Sequence, residues 1–433
     1  MSIAEQLLSM GVVARDVVKM SLGITKTYCK RPVHMDVSYT QITISQDRGV
    51  DREPLTLIRT VVPDDANYQL IHSLQRLALA IRHKHIPLHQ AEACLEKIIC
   101  KQSRSPRLII YAAGGVVSAG VVTLYNGSLL MAALSFVLGF LATGWLRWLG
   151  KIGTATFYVQ ALTALLITLA AAGVAWTNTH YLHLAINETL LVIGGIVLLV
   201  AGMMIVGAFQ DAIDEYYMTA NARLLKVMMS TGGIIIGVVI GLHIATRFGV
   251  TFPATPDRLT LADGHLQYIG ALLIAAAFAV RNHARWLGMI ISGLVGLFGW
   301  WISQFLRSSG FDVVVASGIA AAAIGLMAVL FSRLWRFPSL AVIAAGIVPL
   351  VPGLSLYNGL MGIVLHPPGD ALFIDALAIL VRAVMIALAI AAGASFGNVI
   401  GRPIRRQVIA LFQKNVESDR KSTRLNSSHL ELS

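Results

Sequence analysis

The chain has 433 residues, 56% hydrophobic and 13% charged, with 34 Lys/Arg against 22 Asp/Glu. A soluble globular domain is about a quarter charged, so this composition, with a mean hydropathy of +0.72, excludes one and points to the bilayer. The net charge of +12 does not read as nucleic-acid binding, because the basic residues are scattered over loops and tails with no basic stripe or interleaved aromatics.

Residues 1–107 carry 15 Lys/Arg and 10 Asp/Glu, enough for a cytoplasmic module. Ile3, Leu7, Val13, Val17 and Val18 give an amphipathic helical stripe, while 33–45 and 55–62, rich in Val, Ile, Thr and Tyr, predict strands. Asp64 or Asp65 caps a helix over 66–84, and Pro87 fits the first turn of another running to about 101. The opening residues lack the basic-then-apolar pattern of a cleaved signal. All three cysteines, Cys29, Cys94 and Cys100, precede the first apolar span without metal-ligand spacing and read as reduced thiols.

The next 293 residues hold only 12 Lys/Arg and 9 Asp/Glu. A span needs about 20 mostly apolar residues, and ten are predicted: 108–125, 129–146, 154–176, 189–208, 224–246, 266–282, 286–306, 313–332, 339–361 and 371–400. The sixth is the weakest. Asn126-Gly127-Ser128 joins the first two as an antiparallel hairpin. With a cytoplasmic N-terminus, the inside loops carry Arg147, Lys151, Arg223, Lys226, Arg281, Arg285, Arg333 and Arg336. The outside loops carry only Arg247, Arg258 and Arg307. This asymmetry places both ends in the cytoplasm. The division expected is a mostly α polytopic protein: an α+β module (1–107), a first membrane half (108–246), an external loop (247–265), a second half (266–400) and a basic tail (401–433). Within that tail, Lys421–His429 resembles translated adapter sequence, so the last dozen residues carry no functional argument.

Gly195–Gly202 aligns with Gly346–Gly353 at an offset of 151, six of eight positions being identical. At an offset of 156, Gly237 meets Gly393, Gly241 meets Gly397 and Lys226 meets Arg382. The copies fall on spans four and five and on spans nine and ten. Five spans is an odd number, so the halves are expected to be inverted, as in many secondary transporters.

Span nine holds Pro349 and Pro352 near its midpoint, then Gly353. Two prolines three apart remove amide donors and clash with carbonyls one turn back, so about a turn is expected to unwind. Backbone freed at that depth must face protein or a water-filled cavity. With Ser355, Tyr357 and Asn358 beside it, this segment is the expected contact for a zwitterion; the plain alternative is a kink that only shapes packing. An ionisable residue inside a span is costly enough to mark function. Arg382 lies about eleven residues into span ten, with Asp375 seven earlier on roughly the same face. The two read as a pair, or as a carboxylate anchor and a proton-coupling group, unless Asp375 is simply solvated at the outer interface. The cluster Gln210-Asp211-Ala212-Ile213-Asp214-Glu215 sits at the cytoplasmic mouth; Asp211 is its candidate proton or ammonium partner, and a solvated loop is the simpler reading. Histidines 180, 183, 243, 265, 283 and 366 lie near span ends without a metal-ligand arrangement. His83 and His85 have no nucleophile or carboxylate constellation and decorate a helix end. No phosphate-binding Gly-rich loop, G-x-S-x-G or H-E-x-x-H motif is present. No enzyme activity, cofactor or metal is expected.

The Pro87-Leu-His-Gln-Ala-Glu-Ala-Cys-Leu-Glu-Lys-Ile98 stretch, the five-plus-five spans and the string Ile347-Val-Pro-Leu-Val-Pro-Gly-Leu-Ser-Leu-Tyr357 together resemble the threonine/serine exporter family over about residues 5–415. The resemblance implies a multi-pass carrier of the bacterial inner membrane that exports L-threonine and L-serine, driven by the proton motive force. In the family's first half a proline-glycine break precedes an Asn and an Arg-Asp pair. Gly202 and Asp211 match that pattern, whereas Ala201, Gly207 and Gln210 stand at the proline, Asn and Arg positions. Substrate and protons are the expected partners, a homo-oligomer is compatible, and alternatives are dicarboxylate export or a membrane sensor or scaffold without transport.

Overall fold

The computed structural model describes residues 1–430 except 50–51, 85, 101–104, 185, 200–201, 251–260, 263 and 335–338. His85, Arg258 and Arg336 therefore lie outside the described residues, as does most of the 247–265 loop. The module contains α1 (Ser2–Ser9), α2 (Ala14–Tyr28), β1 (Val33–Ser38), β2 (Gln41–Gln46), β3 (Leu55–Thr60), α3 (Tyr68–Lys84) and α4 (Leu88–Cys100). The single stripe expected near the N-terminus is split between two helices, because Gly11 turns the chain at φ 76°, a conformation glycine adopts without steric cost. Ile3, Leu7, Val17 and Val18 are still buried, on different helices. The stretch 33–45 is likewise two antiparallel strands, with Ser38 opposite Gln41 and Tyr39 at φ 54° in the turn. β3 closes the sheet in the order β1-β2-β3.

The membrane part comprises α5 (Arg107–Leu124), α6 (Leu129–Lys151), α7 (Thr156–Thr177), α8 (Glu188–Ile196), α9 (Gly202–Ile213), α10 (Tyr217–Arg247), α11 (His265–Arg281), α12 (Trp286–Ser308), α13 (Val313–Leu334), α14 (Ser339–Ile347), α15 (Gly353–Leu365) and α16 (Ala371–Leu430). A π turn, Asn178–Leu182, extends α7. Among the described residues seven helices are long and apolar enough to cross a bilayer: α5, α6, α7 with its π turn, α10, α12, α13 and α16. The α14/α15 pair, bent by 49°, makes an eighth. The ten spans expected are thus seven to eight by length and composition. α11, with 17 residues, is about 25 Å long against a hydrocarbon core of about 30 Å, and span four is two short helices rather than one.

Span nine breaks where the prolines stand. α14 ends at Ile347, a 3-10 turn covers Val348–Leu350, and α15 starts at Gly353. Span four breaks without proline: α8 ends at Ile196, Val197–Leu199 form a turn, and α9 starts at Gly202. The offset of 151 residues relates the starts of α8 and α14, their ends, and the starts of α9 and α15. Pairing between elements follows the same pattern: α5 with α6, α7 with α10 and α9 with α10 correspond to α11 with α12, α13 with α16 and α15 with α16. The pieces after the breaks cross over. α9 packs on α16 and α15 on α10, so Ile205 and Val206 join the core formed by α12–α16, while Tyr357 and Met361 join that of α5–α8 and α10.

Small residues let these helices touch backbone to backbone. A Cβ at Gly237 would lie 2.1 Å from the Ala161 carbonyl oxygen, and one at Gly393 would lie 2.0 Å from that of Gly318. The aligned glycines thus seat α10 on α7 and α16 on α13. Where α5 meets α11, Gly120 and Gly270 face each other reciprocally, each one's Cβ position abutting the other's carbonyl oxygen.

Candidate functional site

The module docks on the membrane part through one continuous apolar core, in which Leu7, Val17, Leu74 and Ile81 pack with Ala279, Ala284, Ala341 and Ala345 of α11, its following turn and α14. Polar contacts fix the register. The Tyr68 amide donates to the Asn282 carbonyl at 2.9 Å. The Thr219 hydroxyl donates to the Val37 carbonyl at 3.2 Å and accepts from the Tyr39 amide at 3.0 Å. Arg15 pairs with Asp214.

At the centre of this interface Asp211 is fully buried, which corrects the solvated-loop reading. Its Oδ1 accepts from the Ala14 amide at 2.9 Å, and its Oδ2 lies 3.0 Å from Nη1 of Arg223. Arg223 also donates to the carbonyl of Val12 at 3.2 Å and weakly to that of Gly11. A buried carboxylate is tolerable only when paired and hydrogen-bonded, and here the partners come from both the module and α10. Glu215 is exposed.

A cavity of about 520 Å³ lies between module and membrane part. Its polar lining includes the cations Arg15, Arg223 and Lys226, the carboxylates Asp16, Asp64, Asp65 and Asp214, and the amides Gln210 and Asn398. Its apolar wall includes Met204, near the start of α9, and Ile347, the last residue of α14, so it reaches both broken helices. Cations and carboxylates share its wall, and it can therefore hold a polar solute bearing charges of either sign.

The structure brings some expected residues together and separates others. Pro349 lies within the 3-10 turn and Pro352 immediately precedes α15, which Gly353 opens, and Ser355 and Asn358 are half-buried on its first turns. Tyr357 is 8% exposed and packed among apolar side chains of the first membrane segment. None of these six lines the cavity, which stops at Ile347. Gly202 opens α9.

Arg382 does not pair with Asp375. Its Nη2 lies 2.6 Å from Oδ1 of Asp312, which precedes α13, and both side chains are more than half exposed. The reason is a stagger. Gly318 abuts Ala389 and Gly325 abuts Ala394, so Arg382 is level with the start of α13, whereas Asp375 is about 10 Å further along α16 and exposed. The Val314 amide, donating to Asp312 at 2.9 Å, holds that carboxyl below the usual range, and Arg382 lowers it further. Among the described residues no group of three or more His, Cys, Asp or Glu has a metal-holding arrangement.

Sequence reasoning missed the cavity and the buried Asp211–Arg223 pair. Arg223 and Lys226 read as loop charges, because the module that covers them is distant in sequence. The break in span four was available in principle, since the repeat aligns Gly202 with Gly353.

Comparison with known proteins gives a consistent result. Residues 1–245 match the family described as "Putative threonine/serine exporter", and residues 267–400 that described as "Threonine/Serine exporter, ThrE". The chain is 29% identical over 407 residues to a "Threonine/serine exporter" of Corynebacterium glutamicum, covering 93% of this chain and 82% of that protein. It is 28% identical over 410 residues to a "Probable threonine/serine exporter" of Mycobacterium tuberculosis, covering 93% and 76% respectively. No solved structure matches. With its apolar helices, paired breaks and matches along nearly the whole length, this multi-pass membrane protein belongs to the threonine/serine exporter family.

Proposed function

We propose that the protein exports small hydroxy amino acids, L-threonine and L-serine, across a bacterial inner membrane by alternating access between two inverted five-span halves. The observation that carries this reading is the pair of broken helices, 151 residues apart, at the end of a cavity lined with charges of both signs. Ten spans result when α11, the α8/α9 pair and the α14/α15 pair are each counted with the seven long helices. Inverted repeats with discontinuous helices are a recurrent solution for moving a polar solute past a central site. In this topology both termini are cytoplasmic and the cavity is the cytoplasmic entry. Pro349, Pro352 and Gly353 free backbone groups that, with Gly202 opening the other half-helix and with Ser355, Tyr357 and Asn358, receive the solute in transit. Arg382 guards the external end, and protons couple through Asp211 or Asp375.

Proteoliposomes preloaded with labelled threonine or serine are expected to release it faster when a proton gradient is imposed. Release indifferent to the gradient removes the proton coupling, and no release removes the transport reading in favour of a sensor or scaffold. Cysteines introduced at 215 and 368 are expected to label from opposite sides of the membrane; labelling from one side overturns the inverted topology.

A further inference from the structure

Two cations related by the repeat have different company. Arg382 on α16 is paired with the carboxylate of Asp312. Lys226, its counterpart on α10 at the offset of 156, lines the cavity, and among the described residues no carboxylate lies within ion-pair distance of its ammonium. The other two cavity cations are engaged, Arg15 by Asp214 and Arg223 by Asp211. Lys226 is half-buried, and its wall also carries the amides of Gln210 on α9 and Asn398 on α16, neutral groups whose N–H can donate to an anion.

We infer that Lys226 is the anchor for the substrate's carboxylate in this cavity, the counter-ion it lacks from the protein being supplied by the transported molecule. The ligand class is a small molecule bearing one carboxylate. The cavity's other cations are paired with protein carboxylates, and Asp16, Asp64 and Asp65 also line its wall, so a single carboxylate matches Lys226 whereas the second charge of a dicarboxylate would meet an acidic wall. An ammonium anchor fits the task because it is a compact point charge on a flexible stem, able to follow a solute that has to leave. This inference rests on the exporter reading and sharpens it by naming the residue that selects for the carboxylate.

The test measures binding separately from flux. In a full-length chain with Cys29, Cys94 and Cys100 replaced by Ser, Ser395→Cys on the cavity wall reports occupancy through protection from a maleimide. Threonine is expected to protect it, and threoninol, which keeps the ammonium and hydroxyl but lacks the carboxylate, is expected to protect poorly. Lys226→Met is expected to raise the threonine concentration for half-protection about ten- to a hundredfold, the effect of losing one charge-assisted hydrogen bond. It also erases the preference for threonine over threoninol. Lys226→Arg is expected to keep both the affinity within a fewfold and the preference. Equal protection by threoninol in the parent chain, or unchanged threonine protection in Lys226→Met, overturns the anchor. Succinate protecting better than threonine overturns the single-carboxylate assignment. Absence of threonine flux in proteoliposomes with protection intact would overturn the exporter reading and leave the anchor standing.

Discussion

Asp211→Asn is the most informative single substitution in the interface between the module and the membrane part. Asp211 is fully buried and its partner Arg223 is 12% exposed, so solvent screens the pair little. Removing one member of a buried pair typically costs about 3–5 kcal/mol, because the remaining charge is left uncompensated. Asparagine keeps an acceptor for the Ala14 amide, worth about 1 kcal/mol, and Arg223 retains the carbonyl of Val12. A net loss of about 2–4 kcal/mol in docking is therefore expected, equivalent to a shift of roughly thirty- to a thousandfold in the docked population. Hydrogen exchange at the Ala14 amide reads this directly, since that amide donates to the carboxylate; its protection is expected to fall by that factor while amides within α10 are unchanged. Arg223→Met strands the carboxylate and is expected to be at least as severe, and the double variant to be milder than the sum. Unchanged protection at Ala14, or strict additivity in the cycle, would refute the claim that the pair holds the module in place.

Other outcomes follow from the same geometry. Gly393→Ala places a methyl group 2.0 Å from the Gly318 carbonyl oxygen, and overpacking against backbone is expected to cost about 1–3 kcal/mol, read as a lower unfolding temperature in detergent. Gly232→Ala, with nothing within 4 Å, is the matched control and is expected to be neutral or stabilising by up to about 1 kcal/mol. Pro349→Ala with Pro352→Ala is expected to straighten α14 into α15 and depress export in proteoliposomes without loss of protein from the membrane. For Asp312 the sign is that of a lowered carboxyl: its contribution to the first turn of α13 is present above the ordinary carboxylate range and lost as pH falls through the depressed value. Exchange protection of the Val314 amide is therefore expected to persist through the ordinary range and fail only in stronger acid, and Asp312→Asn is expected to remove that pH dependence.

Much of the fold is legible because the bilayer enforces simple rules. Apolar length marks the long helices, and paired prolines mark the break at Val348–Leu350, since each proline lacks the donor its turn requires. The first break is harder, because Val197–Leu199 are ordinary helix-compatible residues, and only the repeat and the glycine kept from the family's proline-glycine pattern hint that Gly202 begins a new helix. The turns at Gly11 and Tyr39 depend on single backbone dihedrals that a periodicity average hides. The site is less legible still. Arg382 finds Asp312 seventy residues away, and Asp211 finds Ala14 across 197 residues; nothing local distinguishes these charges from solvated ones, and tertiary packing decides which are buried.

The alanines at 279, 284, 341 and 345 belong to the same apolar cluster as the module's helices. Cutting the polypeptide near residue 105 would therefore not yield two self-sufficient pieces: the severed head would expose a greasy scar to water, and the severed trunk would present a bare apolar floor where a lid had been. Contiguous exposed apolar surface of that kind drives association. Truncation studies on this family member are thus expected to report aggregation before they report function, and point substitutions at the seam are the cleaner instrument.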